Sequence, residues 1–238
     1  MKVLIQEIRQ RILDLIDRFE SDKGRLPPED DLKDMLGVSR PTVREALAVL
    51  CHEGVISKRH GVGNVIQYSV LHTPMRFEAQ RDFKAMLREG GHTVRTVREV
   101  PFPARGDSLV EQEDFPVKCS LPSPRLLQKT VHYQDERPAV LTYNFFEARE
   151  VDDSSVFSEM GYAELVEHLS GERLSHKLMA FIPWVMEKTL SEAFGLPEGT
   201  PVLLWHERNF SLQDRLICES VVFFNPQVVT LHSFHRWS

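Results

Sequence analysis

The chain has 238 residues, 42% apolar and 27% charged, with a net charge of −6. This composition excludes a disordered chain, a collagen-like chain and a disulfide scaffold, and the length suits one or two domains. The acidic total argues mildly against nucleic acid as a partner, so the distribution of charge along the chain has to decide.

Ile5, Ile8, Ile12, Leu15, Ile16 and Phe19 recur with a 3.6-residue period and predict an amphipathic helix that ends at Lys23-Gly24. Pro27-Pro28 followed by Glu29, Asp30 and Asp31 predicts a second helix start, because carboxylates favour the positive helix end. Leu32, Met35 and Leu36 give it an apolar face, and Gly37 stops it. Ser39 is a natural N-cap for a third helix with a buried stripe of Val43, Ala46, Leu47 and Leu50, closed by Gly54. Val55 to Arg59 and Val65 to Gln67 read as two strands around the glycine turn His60-Gly61-Val62-Gly63-Asn64. The order is that of a winged helix-turn-helix.

This shape suits DNA. A short Gly37-Val38 connection sets the second and third helices at a steep angle, so the third can enter a major groove N-terminus first. Arg40 and Arg44 lie one turn apart near that end, off the buried stripe, and Arg bridges guanine O6 and N7 with two hydrogen bonds. Ser39 and Thr42 offer hydroxyl donors. Lys58, Arg59 and His60 place positive charge on the hairpin, where a wing meets phosphate or minor groove. Between Val38 and Ile66 four cations face two carboxylates, so the reading face is locally basic inside an acidic protein. Paired arginines on a helix, or a glycine hairpin, are each ordinary surface features. Their joint order is what points to DNA.

Residues 26–66 closely resemble the N-terminal domain of GntR-type bacterial transcription regulators. The matching residues are Leu26-Pro27-Pro28-Glu29, Leu32, Leu36-Gly37-Val38-Ser39-Arg40, Thr42-Val43-Arg44-Glu45-Ala46-Leu47, Leu50, Glu53-Gly54-Val55-Ile56, Gly61 and Gly63. The resemblance implies that Ser39, Arg40, Thr42 and Arg44 contact double-stranded operator DNA, with His60 and Gly61 on the wing. Two positions depart from the family pattern. Asp30 stands where the family commonly has a DNA-touching Arg, and Pro41 replaces a small polar residue.

A winged helix-turn-helix domain is expected over residues 1–68, a linker over 69–75 ahead of or including Pro74, and a second domain over 76–238. In that domain Met75, Phe77, Phe83, Met86 and Leu87 suggest a helix ending at Gly90-Gly91. Val94 to Phe102 reads as a strand. Leu126 to Tyr133 and Ala139 to Phe146 form a hairpin around Gln134-Asp135-Glu136-Arg137-Pro138. Tyr162 to Leu169 and Trp184 to Phe194 read as helices. Val202 to Leu212 and Leu216 to Phe224 form a second hairpin. The expected class is α+β with a mostly antiparallel sheet.

This order resembles the UTRA effector domain of the HutC branch, whose fold is chorismate-lyase-like. The resemblance rests on Asp135-Glu136-Arg137-Pro138, on Leu196, on Gly199-Thr200-Pro201-Val202-Leu203, and on Ile217-Cys218-Glu219-Ser220. It implies a small-molecule effector beside the sheet, lined by His132, Thr142, Tyr143 and Glu219, with His176 and Lys177 as further candidates. Relatives with phosphorylated ligands often carry two Arg where this chain has Thr130 and His132, so a less anionic effector is expected. Phe145, Phe181 and Trp184 are read as core before pocket. The implied protein is a homodimeric repressor without cofactor.

The competing reading is an enzyme or ligand-binding protein of chorismate-lyase-like fold, with the winged helix as a protein-interaction module. No GxSxG, HExxH or P-loop pattern supports catalysis. His232 and His235 would share a helix face, but no third metal ligand is evident, so no metal is expected. Cys51, Cys119 and Cys218 are far apart and odd in number, which fits a reducing compartment. Gln6, Glu7 and Arg9 interrupt the first apolar residues, and the longest apolar run, Ala46 to Cys51, is far below the roughly 20 residues of a membrane span. A cytoplasmic setting without a membrane partner is expected.

Overall fold

The computed structural model describes residues 2–16, 24–73, 75–76, 82–88, 91–104, 117–122, 125–147 and 160–235. Phe19, Lys23, Pro74, Phe77 and Gly90, used above, lie outside the described residues. The chain divides into two compact units, Met1–Gln80 with Leu231–Ser238, and Arg81–Thr230.

The first unit holds α1 (Lys2–Ile16), α2 (Glu29–Leu36), α3 (Arg40–His52), β1 (Ile56–Arg59), β2 (Gly63–Ile66) and α4 (Tyr68–Leu71). Ile8, Ile12 and Ile16 recur every four residues, so one line of α1 is fully buried. That line packs with Leu32 and Leu36 of α2, with Val43, Ala46, Leu47 and Leu50 of α3, and with Val55, Ile56 and Ile66. Met35, expected on the apolar face of α2, is 49% exposed. So short a helix buries only the line through Leu32 and Leu36. Gly37 takes the left-handed conformation, φ 67°, that ends α2 at once and starts the turn into α3.

A partly buried ion pair fastens α1 to the end of α3. Arg9 Nε donates to both Glu53 oxygens at 2.9 and 2.8 Å, and Arg9 Nη2 lies 2.8 Å from Glu53 Oε2. Arg76 Nη1 donates to the Glu53 carbonyl at 2.8 Å. Residues 75–76 are not helical as expected: Met75 takes a left-handed φ of 51°, Arg76 bridges His232 in parallel, and the His232 N–H donates to the Met75 carbonyl at 3.1 Å. Residues 231–235 fall in the first unit rather than in the domain expected over 76–238, and the helix Tyr68–Leu71 runs from the expected first domain into the expected linker. A Cβ on Gly54 would sit 2.2 Å from the Phe234 ring, so this return needs glycine there. His232 and His235 are not on a helix; His235 Nε2 lies 2.8 Å from Ser233 Oγ.

The second unit holds α5 (Phe83–Arg88), β3 (Val94–Arg98), β4 (Phe102–Pro103), β5 (Arg125–Gln134), β6 (Arg137–Glu147), α6 (Tyr162–Ser170), β7 (Leu174–Val185), α7 (Lys188–Phe194), β8 (Pro201–Ser211) and β9 (Leu216–Phe224). The sheet order is β3-β5-β6-β9-β8-β7, with β4 also on β5, and each pair is antiparallel. The unit is α+β, as expected. Asp135 and Glu136 turn the β5–β6 hairpin with φ of 47° and 60°, the left-handed pair that matches strand twist. The single strand expected from Val94 to Phe102 is split into β3 and β4, both paired to β5. The helix expected from Trp184 begins only at Lys188, because Trp184 and Val185 finish β7.

One sheet face carries Leu141, Tyr143, Phe145, Leu204, Val221 and Phe223, packed with Val117, Leu121, and Leu190 and Phe194 of α7. The other packs Phe146 and Cys218 under Leu165, Val166 and Leu169 of α6. On that face the α5 ring Phe83 meets His132, Trp205 and Phe224 at 5.7–5.9 Å between centroids. Among the described residues no helix is long and apolar enough to cross a membrane.

Candidate functional site

In the first unit, Ser39 caps α3 by accepting from the Thr42 N–H at 3.4 Å, and the two hydroxyls lie 2.8 Å apart. With Val43, Ala46, Leu47 and Leu50 facing the core, Arg40 and Arg44 are left on the solvent side, 55% and 65% exposed. Lys58 on β1 is 67% exposed, and Arg59, His60 and Gly61 are exposed at the wing. Gly61 and Gly63 take positive φ of 72° and 96°, which makes the tip tight.

The sequence reading missed what holds these cations together. Glu29 Oε2 lies 3.3 Å from Arg40 Nε and 3.7 Å from Arg44 Nε, and its Oε1 lies 3.6 Å from Lys58 Nζ. Asp30 Oδ2 lies 3.5 Å from Arg40 Nη1, so the unusual acid pairs with a reading-helix cation. Glu29 belonged to the family string, but only the folded backbone brings one carboxylate against both helix and wing.

In the second unit the six effector candidates separate. Across an antiparallel ladder directly opposed residues share a face. Thr142 opposes Thr130 and Val222, and Val222 opposes Trp205; His132 lies one pleat along, and Lys177 opposes Asn209 on the same face. Tyr143, Glu219 and His176 lie on the opposite face. Tyr143 is in the apolar core, edge-on to Phe223 at 6.4 Å. Glu219 accepts from the N–H groups of Ser120 and Leu121, and lies 3.2 Å from His206 Nε2. Burial alone would raise its carboxyl, yet the bonds from His206, Cys119 and Ser120 outweigh it and hold the pKa below the usual value. Glu219 thus fastens the 117–121 segment to the sheet. His176 is exposed, stacked on Phe210 and 3.1 Å from Asp214. Phe145 is core, Phe181 is 39% exposed, and Trp184 packs partly against the core.

The face that keeps His132, Thr142 and Lys177 carries a layer of neutral polar groups. The Tyr162 hydroxyl accepts from Asn209 Nδ2 at 3.0 Å and lies 3.0 Å from Ser220 Oγ, which donates to Asn144 Oδ1 at 2.7 Å. Burial raises the Tyr162 hydroxyl well above its usual pKa and pushes the Cys218 thiol up to about 12, so both stay protonated. His132 Nδ1 lies 2.9 Å from Thr96 Oγ1. Burial, with Arg98 nearby, pulls its pKa down to about 4 and leaves the ring neutral. Arg98, opposite Thr130, donates to the Met160 carbonyl. Lys177 pairs with Glu207 at 2.9 Å. Thr142 Oγ1 is buried with no hydrogen-bond partner among the described residues. Nor do those residues include a cluster of three or more His, Cys, Asp or Glu able to hold a metal.

The family model for bacterial regulatory proteins of the gntR family matches residues 3–66. The Uxu operon transcriptional regulator of Escherichia coli (strain K12) is 44% identical over 59 residues, 24% of this chain and 23% of that protein. The chain spans about a quarter of the length of the curated relatives it matches. Two solved structures share the whole fold. YydK of Bacillus subtilis subsp. subtilis str. 168, described as a possible transcriptional regulator, aligns with a TM-score of 0.62 at 15% identity, covering 98% of this chain and 99% of that one. PhnF of Mycobacterium smegmatis aligns with a TM-score of 0.51 at 16% identity, covering 97% of this chain and 100% of that one.

Proposed function

We propose that this chain, whose residues 3–66 form a domain of the gntR family of bacterial regulatory proteins, is a ligand-responsive transcription regulator of the HutC type that acts as a repressor. Two copies bind a pseudo-palindromic operator, since a two-fold protein matches a two-fold site. Ser39, Arg40, Thr42 and Arg44 read or clamp the DNA, and Lys58, Arg59, His60 and Gly61 serve the wing. A small molecule at the sheet of the second unit changes DNA affinity, and by linkage DNA changes its affinity in turn. His132, Thr142 and Lys177 are the members of the expected lining set that share a face, and the reading keeps those three. It assigns no reaction to the chain.

The carrying observation is the alignment of cations. Arg40 and Arg44 of α3 and Lys58 of β1 converge on one carboxylate, so helix and wing present positive charge on the same side. The test is selection from a random duplex library with the full chain, followed by affinity measured across salt. A two-fold site bound with a steep salt slope supports the regulator. No duplex above background, with or without a metabolite extract, overturns it and favours a winged helix that binds protein.

A further inference from the structure

Glu29 opens α2, where the positive helix end favours a carboxylate. Yet its two oxygens face cations of two other elements. The carboxylate is only 17% exposed, whereas Arg40, Arg44 and Lys58 are 55–67% exposed. One held group therefore gathers three long, otherwise mobile side chains. Exposed pairs of this kind add little stability. Their effect is on where the charges point, and it differs between the two arginines. Arg44 is engaged through Nε, which leaves its terminal nitrogens for an end-on approach to a base. Arg40 is engaged through Nε by Glu29 and through Nη1 by Asp30.

We propose that Glu29 is a positioning residue of the reading head. It presents Arg44 fork-first and couples the wing to α3 through Lys58. As an internal counterion it also makes non-specific phosphate compete for Arg40 and Lys58. It contributes sequence discrimination and lowers raw affinity for DNA. This rests on the reading above that α3 and the wing face DNA.

The test is Glu29→Gln in the full chain, which keeps shape and removes charge. Two duplexes are compared, the one selected by the unsubstituted protein and a shuffled version of it. The shuffled duplex should bind roughly 3- to 10-fold tighter with a steeper salt slope, because each freed cation releases more counterions. The selected duplex should gain less, so the ratio of the two falls. Asp30→Asn, which touches Arg40 alone, should tighten both duplexes slightly and leave the ratio within about twofold. Retention on heparin, a polyanion with no sequence to read, should move to higher salt for Glu29→Gln. An unchanged ratio and unchanged heparin retention overturn the proposal, as does an equal loss on both duplexes at an unaltered melting temperature. If Glu29→Gln fails to fold, Glu29→Asp decides: its shorter reach must lower the ratio while charge is kept. If the unsubstituted protein selects no duplex, the regulator reading fails, and heparin retention alone then upholds or overturns the counterion role.

Discussion

The two units use polar groups in opposite ways. In the reading head they are charged, exposed and shared around Glu29. In the layer beneath α6 they are neutral, buried and linked in a chain, from Asn209 through Tyr162 and Ser220 to Asn144. Water and salt weaken the first arrangement, so it is suited to exchanging partners. The second is strengthened by the low dielectric around it and fails when one member is lost. Surface charge on the first unit should tune binding, and deletion within the hydrogen-bonded chain of the second should destabilise. The Arg9–Glu53 pair is the exception that sharpens this contrast, because it puts a buried ion pair in the first unit.

The largest expected effect is there. Arg9→Ala takes a bidentate guanidinium away from the partly buried Glu53 carboxylate, and should cost the first unit about 3 kcal/mol. Thermal or urea unfolding followed by helix signal would show it. A cost near that of a surface substitution would mean that water reaches Glu53. Tyr162→Phe is next. It removes the acceptor of Asn209 Nδ2 and one of the partners of Ser220 Oγ in a buried layer, an expected loss of about 1–3 kcal/mol, read in the melting of the second unit. Arg44→Ala should leave melting unchanged and cost about 1–3 kcal/mol of discrimination between the selected duplex and a single-base variant. An equal loss on every duplex would make Arg44 a phosphate clamp.

The contrast between the units also explains what was legible in the sequence. The winged helix repeats short local patterns. Ser39 is a cap, Gly37 a stop, and Val43, Ala46, Leu47 and Leu50 a stripe, each settled within one or two turns. The sheet is built from distant partners. β7 went unread because an edge strand carries apolar residues on both faces and tolerates Pro183, so it shows no clean alternation. The effector set had one error that parity exposes. Thr142 and Tyr143 are adjacent on one strand, as are His176 and Lys177, and adjacent residues on a strand point to opposite faces. Arg98, Tyr162, Asn144 and Ser220 were missed because nothing local marks them. Strand register and the approach of α6 bring them together. Likewise the return of residues 231–235 depends on Gly54 and Phe234, 180 positions apart.

Acid separates the units further. The folded-state pKa of His132 lies at about 4, below its ordinary 6.5, so the unfolded chain takes up that proton first. Its contribution is complete above pH 6.5 and is lost as pH falls toward about 4. Glu219, also lowered, loses its contribution only below its ordinary carboxyl range. The second unit should therefore weaken in two steps as pH drops, and His132→Gln should remove the upper one. Unfolding midpoints measured from pH 7 to about pH 2 would check it; the absence of a step between pH 6.5 and about 4 in the unsubstituted protein would mean that His132 is solvated.

Within the buried layer the smallest stability effect is expected at Thr142, and there the comparison is most sensitive. A buried hydroxyl without a partner already carries its desolvation cost, so Thr142→Val removes that cost along with the group. Stability should stay within about 1 kcal/mol of the parent or rise, in contrast to Tyr162→Phe in the same layer. If the hydroxyl is kept for a ligand, the same variant should release DNA less readily when a metabolite extract is added, with its affinity for DNA in buffer unchanged. A clear loss of stability would show that Thr142 has a hidden partner in the folded protein. An intact extract response would move the ligand away from the row formed by Arg98, Thr130, Thr142, Val222 and Trp205 and toward the exposed edge at Lys177.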